Sequence, residues 1–255
     1  MQLRSTIEGT PGKPVLVLAN SLAATSSMWN AQCAAWGKRW QIVRFDYAGH
    51  GASEVAADAA LPMTMEAIAN DVLAMLDSHS VAGFSLVGLS LGGMLGMQLA
   101  AAVPQRLQRL VVANCRFHQT APLQQQWSDR IDAVRAGGMD AILTPTVERW
   151  LTEAWRLQHP QQTAAIAAMI RSTSREGYAA AAAAVRDFDA RPWMDGIRCP
   201  VLVVSGAQDA AAPSDHLDIL AALLKAQHQV LDPCAHLSSV ERADSFSRGV
   251  ADFLA

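Results

Sequence analysis

Apolar and polar positions along the chain fall into two alternating patterns: short unbroken apolar runs, and longer stretches with apolar residues at helical spacing. Val15 to Ala19, Ile42 to Phe45, Phe84 to Val87, Leu107 to Ala113 and Val201 to Ser205 are runs of the first kind. Such runs are expected of strands buried on both faces of a parallel sheet. Gln2 to Glu8 and Gln229 to Leu231 read as shorter strands near the two ends. Among the helical patterns, Glu66 to His79 aligns Ile68, Val72, Leu73, Met75 and Leu76 on one face. Others start around Met28 to Asn30, or run from Leu91 to about Ala102 before Pro104, Asp215 to Lys225 and Val240 to Leu254. Strands alternating with helices at this rhythm predict an α/β fold on a mostly parallel, doubly wound sheet.

The rhythm breaks from Phe117 to Ala190. That stretch carries helical patterns at Pro122 to Ala136, Met139 to Leu157 with an interruption near Pro145, Gln161 to Ser172, and an alanine-rich run through Ala179 to Ala184. Helices inserted after what is read as the sixth strand predict a cap over an active site. The chain then divides into a core of residues 1–116 and 191–255 and a cap of residues 117–190. The alternative is that these helices merely cover the sheet.

With 255 residues, 51% of them apolar, the chain can bury a sizeable core without staples. Its net charge of −3, with acids and bases interspersed, gives no electrostatic reason to expect nucleic acid or an anionic membrane. A small molecule is the expected partner; oligomeric state is not readable. Met1 to Gly12 lacks the pattern of a signal peptide, and no stretch reaches the roughly eighteen apolar residues of a membrane span. The expectation is a soluble, cytoplasmic protein. Cys33, Cys115, Cys199 and Cys234 are widely separated and read as reduced, mostly buried thiols. No histidine pair has ligand spacing with a carboxylate or cysteine, so neither metal nor cofactor is expected.

Candidate chemistry concentrates at Phe84 to Met94, where a strand-like run meets Gly88-Leu89-Ser90-Leu91-Gly92 and a helical pattern follows at once. This is the shape of a nucleophile elbow, which exposes a serine hydroxyl on a sharp strand-to-helix turn. The pentapeptide alone arises by chance in about one chain in twelve of this length, so context must carry Ser90. A serine nucleophile needs a base, and the base needs an acceptor to hold its tautomer. Asp209 follows the strand Val201 to Ser205, and His236 follows the strand ending at Leu231. Loops beyond strand C-termini share one edge of a parallel sheet, and the order Ser, Asp, His is the one this fold uses. Singly, Asp209 reads as well as a helix cap and His236 as a solvated loop residue.

His50 is the one rival base, and its place before the elbow suggests a wall residue. His79, His118, His159, His216 and His228 read as surface or cap residues. For an oxyanion, the backbone N–H of Leu91 and that of Leu22, in the loop after Val15 to Ala19, are the expected donors.

With these residues in place the chain resembles an α/β-hydrolase, and within that fold the 3-oxoadipate enol-lactone hydrolases of bacterial aromatic catabolism. The resemblance spans nearly the whole length. It rests on Asn20-Ser21-Leu22, Met28-Trp29, Asp46 with Gly49-His50-Gly51 and Ser53, and the elbow through Gly93. Trp127 with Arg130, Glu148-Arg149-Trp150, Glu176-Gly177-Tyr178, Arg186-Asp187 and Ala235-His236-Leu237-Ser238 fit as well. Ala23 stands where that family usually has glycine, Ala48 where arginine usually precedes Gly-His-Gly, and the N-terminus is short.

The resemblance implies a serine hydrolase that opens a small carboxylated lactone through an acyl-enzyme. It implies substrate contacts at Asn20, Ser21, Trp127, Arg130 and Trp150. Arg149 and Arg116 are further candidates to meet the substrate's charge. The alternatives are a carboxylesterase of the same fold and a ligand-binding protein that keeps the fold without turnover. Dehalogenase chemistry would call for a carboxylate at position 90.

Overall fold

The computed structural model describes residues 3–55 and 63–255. Met1 and Gln2, the latter the first residue of the expected opening strand, lie outside the described residues, as does part of the loop between Ser53 and Glu66. Seven strands form one sheet: β1 (Ser5–Gly9), β2 (Val15–Ala19), β3 (Gln41–Phe45), β4 (Phe84–Leu89), β5 (Leu107–Ala113), β6 (Val201–Gly206) and β7 (Gln227–Leu231). Their spatial order is β1-β3-β2-β4-β5-β6-β7; β1 runs antiparallel to β3 and every other pairing is parallel. All residues of β4 and β6 are buried, which is why both read as continuous apolar runs. The edge strand β1 has no buried residue.

Helices α1 (Asn30–Trp36), α2 (Met65–Ser78) and α3 (Leu91–Ala102) connect the first strands. The break in rhythm is a cap of five helices, α4 (Ala121–Gly137), α5 (Asp140–Trp150), α6 (Glu153–Gln158), α7 (Pro160–Arg171) and α8 (Arg175–Arg186). It follows β5, the fifth strand among the described residues, rather than a sixth, because the chain before β2 supplies a single strand, β1. The core resumes with α9 (Ser214–Leu224) and closes with α10 (Ser238–Glu241) and α11 (Ala243–Leu254), two helices where the sequence suggested one.

The expected interruption at Pro145 is corrected. Pro145 lies inside α5 on its exposed side, and the helix continues through it despite the intrahelical bond it removes. The break falls at Leu151 and Thr152, and the Thr152 hydroxyl caps α6 by accepting from the Trp155 N–H.

The cap joins the core through few backbone contacts. Its two ends pair, with Ala190 N–H donating to Phe117 O at 2.8 Å, Gln119 N–H to Phe188 O at 3.2 Å, and His118 opposite Asp189. The start of α8 rests on the loop after β3: Ser174 N–H donates to Gly49 O at 2.8 Å, and a Cβ on Gly177 would come within 2.5 Å of the Gly49 Cα. Small side chains keep α8 close to α4, since Ala179 to Ala184 are all buried. No helix among the described residues is long and apolar enough to cross a membrane.

Candidate active site

Ser90 links β4 to α3 at φ +58° and ψ −113°, a backbone conformation that L-residues rarely adopt. The neighbouring glycines make that turn possible. A Cβ on Gly88 would lie 2.1 Å from Gly92 O, and one on Gly92 would lie 2.1 Å from Ala19 O. Two backbone bonds pin the turn, Ser90 N–H to Ala113 O at 2.9 Å and Gly92 N–H to Asn20 O at 3.0 Å. Leu91 begins α3, so its N–H is among those at a helix start with no acceptor inside the helix; its side chain is fully buried.

Asp209 and His236 meet on the loops after β6 and β7. Asp209 Oδ2 accepts from His236 Nδ1 at 2.8 Å and from Asn114 Nδ2 at 2.9 Å, while Oδ1 accepts from the N–H groups of Ala211 and Ala212 at 2.8 and 3.1 Å. Burial alone would raise the Asp209 carboxyl. The interaction with His236 and these donors outweigh it and hold the group below the usual carboxylate range. An ionised Asp209 accepts only, so His236 carries its proton on Nδ1 and leaves Nε2 free to act as a base. Asn114, at φ +49°, also reaches Ala235 O at 3.3 Å and takes the Ser238 hydroxyl at 2.5 Å on Oδ1.

The cap is tied to the same loop. Trp150 of α5 stacks on His236, with centroids 6.4 Å apart and planes 28° from parallel, and its carbonyl accepts from Leu237 N–H at 2.9 Å. The buried Glu241 carboxylate accepts from Ala235 N–H at 2.9 Å, from Thr152 N–H at 3.3 Å and from the Thr152 hydroxyl in a short hydrogen bond.

Ser90 and His236 line one cavity of about 110 Å³ between sheet edge and cap. Of the other expected site residues, Ser21, Leu22, Trp127, Arg130 and Trp150 line it, and so do Arg116 and Arg149. Arg130 donates through Nε to Tyr178 Oη at 3.2 Å and through Nη2 to Thr146 Oγ1 at 2.9 Å. Burial, reinforced by the Arg130 charge, lowers Arg149 to about 10, and its Nε has no hydrogen-bond partner.

Three expectations need correction. Asn20 does not face the cavity: it is fully buried, donates to Phe45 O at 2.7 Å and accepts from Trp29 Nε1 at 2.9 Å, so it shapes the loop from within. His50 is no wall residue either. It is fully buried, and its Nε2 accepts from Ala23 N–H at 3.1 Å, holding that loop from behind. His228 is not a surface residue, because its ring, only 9% exposed, bridges Ser205 Oγ and Asp218 Oδ1 at 2.7 Å each. That second Ser-His-Asp row reaches no described cavity, and Ser205 is fully buried. Asn114, Glu241 and Tyr178 were not singled out as site residues from sequence; Tyr178 entered only within the Glu176-Gly177-Tyr178 motif, and Asn114 carried a signal of its own, an asparagine closing a strand at the sheet edge.

Residues 14–243 match the family described as alpha/beta hydrolase fold. The chain belongs to the α/β-hydrolase fold family and is a hydrolase. It is 30% identical over 243 residues to 3-oxoadipate enol-lactonase 2 of Acinetobacter baylyi, an alignment covering 95% of this chain and 89% of that protein. Among solved structures it is similar to the enol-lactonase from Burkholderia xenovorans, with TM-score 0.93, 36% identity and coverage of 99% and 96% of the two chains. It is also similar to a thermophilic esterase from Thermogutta terrifontis, with TM-score 0.91, 26% identity and coverage of 99% and 92%.

Proposed function

We propose that this hydrolase opens a small lactone bearing a carboxylate, such as 3-oxoadipate enol-lactone, through an acyl-enzyme on Ser90. The observation that carries the reading is the joint presence on one cavity of Ser90 and His236 with Arg130 and Arg149. The first pair supplies a nucleophile and its base; the second supplies positive charge for an anionic substrate. The similarity to enol-lactonases supports the same substrate class.

In this mechanism Ser90 attacks the lactone carbonyl as His236 Nε2 takes its proton. The N–H groups of Leu22 and Leu91 receive the oxyanion, and Asp209 stabilises the imidazolium. The ring C–O bond then breaks with an enol as leaving group, which departs more readily than an alkoxide. Water activated by His236 releases the acid and restores Ser90. Residues 117–190 act as the lid unit, with Trp127 and Trp150 as apolar walls.

The decisive experiment follows loss of lactone absorbance with 3-oxoadipate enol-lactone beside a short p-nitrophenyl ester. Fast lactone opening that falls at least ~10³-fold in Ser90→Ala is expected. Ester turnover without lactone opening would favour the carboxylesterase reading, and turnover of neither would overturn both readings.

A further inference from the structure

Several arginines elsewhere in the molecule are held by carboxylates, as Arg44 by Glu8, Arg106 by Asp77 and Arg171 by Asp140. Arg130, on the cavity, is held by two hydroxyls instead. Its guanidinium leaves α4 and reaches two other cap helices: Nε donates to Tyr178 Oη of α8 at 3.2 Å, and Nη2 to Thr146 Oγ1 of α5 at 2.9 Å. A further support is Trp127, nearly one turn earlier on α4, whose ring centroid lies 5.5 Å from Cζ. Thr146 and Tyr178 are both buried. Three cap helices thus converge on one side chain.

Proton counting fixes the direction of these bonds. A threonine hydroxyl has one proton and two lone pairs. Thr146 gives its proton to Ile142 O, one turn back on α5, at 2.6 Å, so only lone pairs are left to face Arg130. Its part as acceptor is therefore set by the helix that carries it. A carboxylate in either place would also hold the guanidinium, but it would cancel the charge. A hydroxyl holds the group and leaves that charge for a ligand. With Nε and Nη2 engaged in this way, Nη1 donates to no group among the described residues.

We propose that Thr146 and Tyr178 are positioning residues for Arg130, holding its guanidinium with the charge uncancelled so that Nη1 meets the carboxylate of the substrate. The inference deepens the proposed function and rests on it for the charge that Arg130 meets. Discrimination between charged and neutral substrates then depends on two uncharged side chains as well as on the arginine. Thr146 and Tyr178 act through Arg130 and are not catalytic residues.

The test is calorimetric binding of hexanoate beside its uncharged isostere hexanamide, with thermal melting as the check on folding. The unmodified protein is expected to bind hexanoate at least about tenfold more tightly, the increment of one charge-assisted contact. Thr146→Val, which keeps the shape and loses the acceptor, should remove most of that advantage, whereas Thr146→Ser, which keeps the hydroxyl, should retain it. In an Arg130→Ala background, Thr146→Val should change hexanoate affinity by less than about twofold, because a residue that acts through Arg130 has nothing left to hold. If Thr146→Val does not fold, Tyr178→Phe removes the other acceptor and should show the same loss and the same dependence on Arg130. An undiminished advantage in the variant that folds, an equal loss with and without Arg130, or no advantage in the unmodified protein would overturn the inference. Lactone opening is read separately. Its absence with the Thr146-dependent advantage intact would sink the lactonase reading alone, and its presence without that dependence would sink this inference alone.

Discussion

Glu241 Oε2 accepts the backbone N–H of Ala235 at 2.9 Å, and the same carboxylate holds Thr152 at the corner between α5 and α6. One buried group therefore fixes both the residue before His236 and the end of the helix whose Trp150 covers His236. Glu241→Ala leaves these donors unmet and should destabilise the fold by about 2–4 kcal/mol. Glu241→Gln, with a single acceptor oxygen, should melt between the two. Thermal unfolding and the rate of fluorophosphonate labelling at Ser90 check this. Wild-type values for Glu241→Gln in both would show that the loop does not depend on the carboxylate.

Asn114 shares Asp209 Oδ2 with His236. Asn114→Ala removes a donor that helps keep Asp209 ionised, and kcat/KM should fall about tenfold, the loss expected for one hydrogen bond to a charged acceptor. Asn114→Asp sets one carboxylate against another and should lose more, with the deficit growing above neutral pH as both ionise. Steady-state pH profiles of the two variants distinguish the effects; identical profiles would contradict this account.

His50 links ionisation to stability. Burial lowers it to about 4 from the ordinary 6.5, against the weaker upward pull of the Ala48 carbonyl and Asp46. Between those values the unfolded chain binds a proton that the folded chain refuses. The contribution is complete above pH 6.5 and is lost as pH falls toward 4, by up to about 3 kcal/mol. Half-buried His216, also lowered to about 4, acts in the same direction, so the contrast with His50→Gln is the informative one. Urea midpoints at pH 7 and pH 5 should converge in that variant relative to wild type.

Ala23 occupies φ +64°, where glycine would carry no strain. Ala23→Gly relieves the backbone but loses a buried methyl and gains unfolded-state freedom, so stability should move by less than about 1 kcal/mol. Ala23→Val, branched at this φ, should lose more than about 2 kcal/mol and displace the Leu22 N–H. Melting curves and lactone or ester turnover of both variants check the pair.

The strands were legible because burial on both faces writes a parallel strand as an unbroken apolar run, as in β4 and β6. Ser90 was legible because Gly88 and Gly92 mark a turn that no Cβ would survive. Asp209 and His236 were legible through the loops that carry them, and the structure brings their side chains together. Glu241 and Thr152 lie 89 positions apart and meet only in three dimensions, so neither announced a role. Asn20 and His50 were misplaced for a related reason: their loops do flank the cavity, but sequence does not say which side of a loop a side chain takes. Pro145 was misread because local preference marks a helix stop that an exposed face tolerates.

The cap leaves the sheet at Phe117 and returns at Ala190, two residues joined by one backbone hydrogen bond of 2.8 Å. Entry and exit thus coincide, and the intervening helices form a cassette that a single pair of cuts removes without touching a strand. Ser90 and His236 sit on one side of those cuts, and Arg130, Arg149, Trp127 and Trp150 on the other. Under the proposed function, a change of cassette alters what is recognised while the sheet keeps its chemistry, so the two properties are free to evolve at different rates.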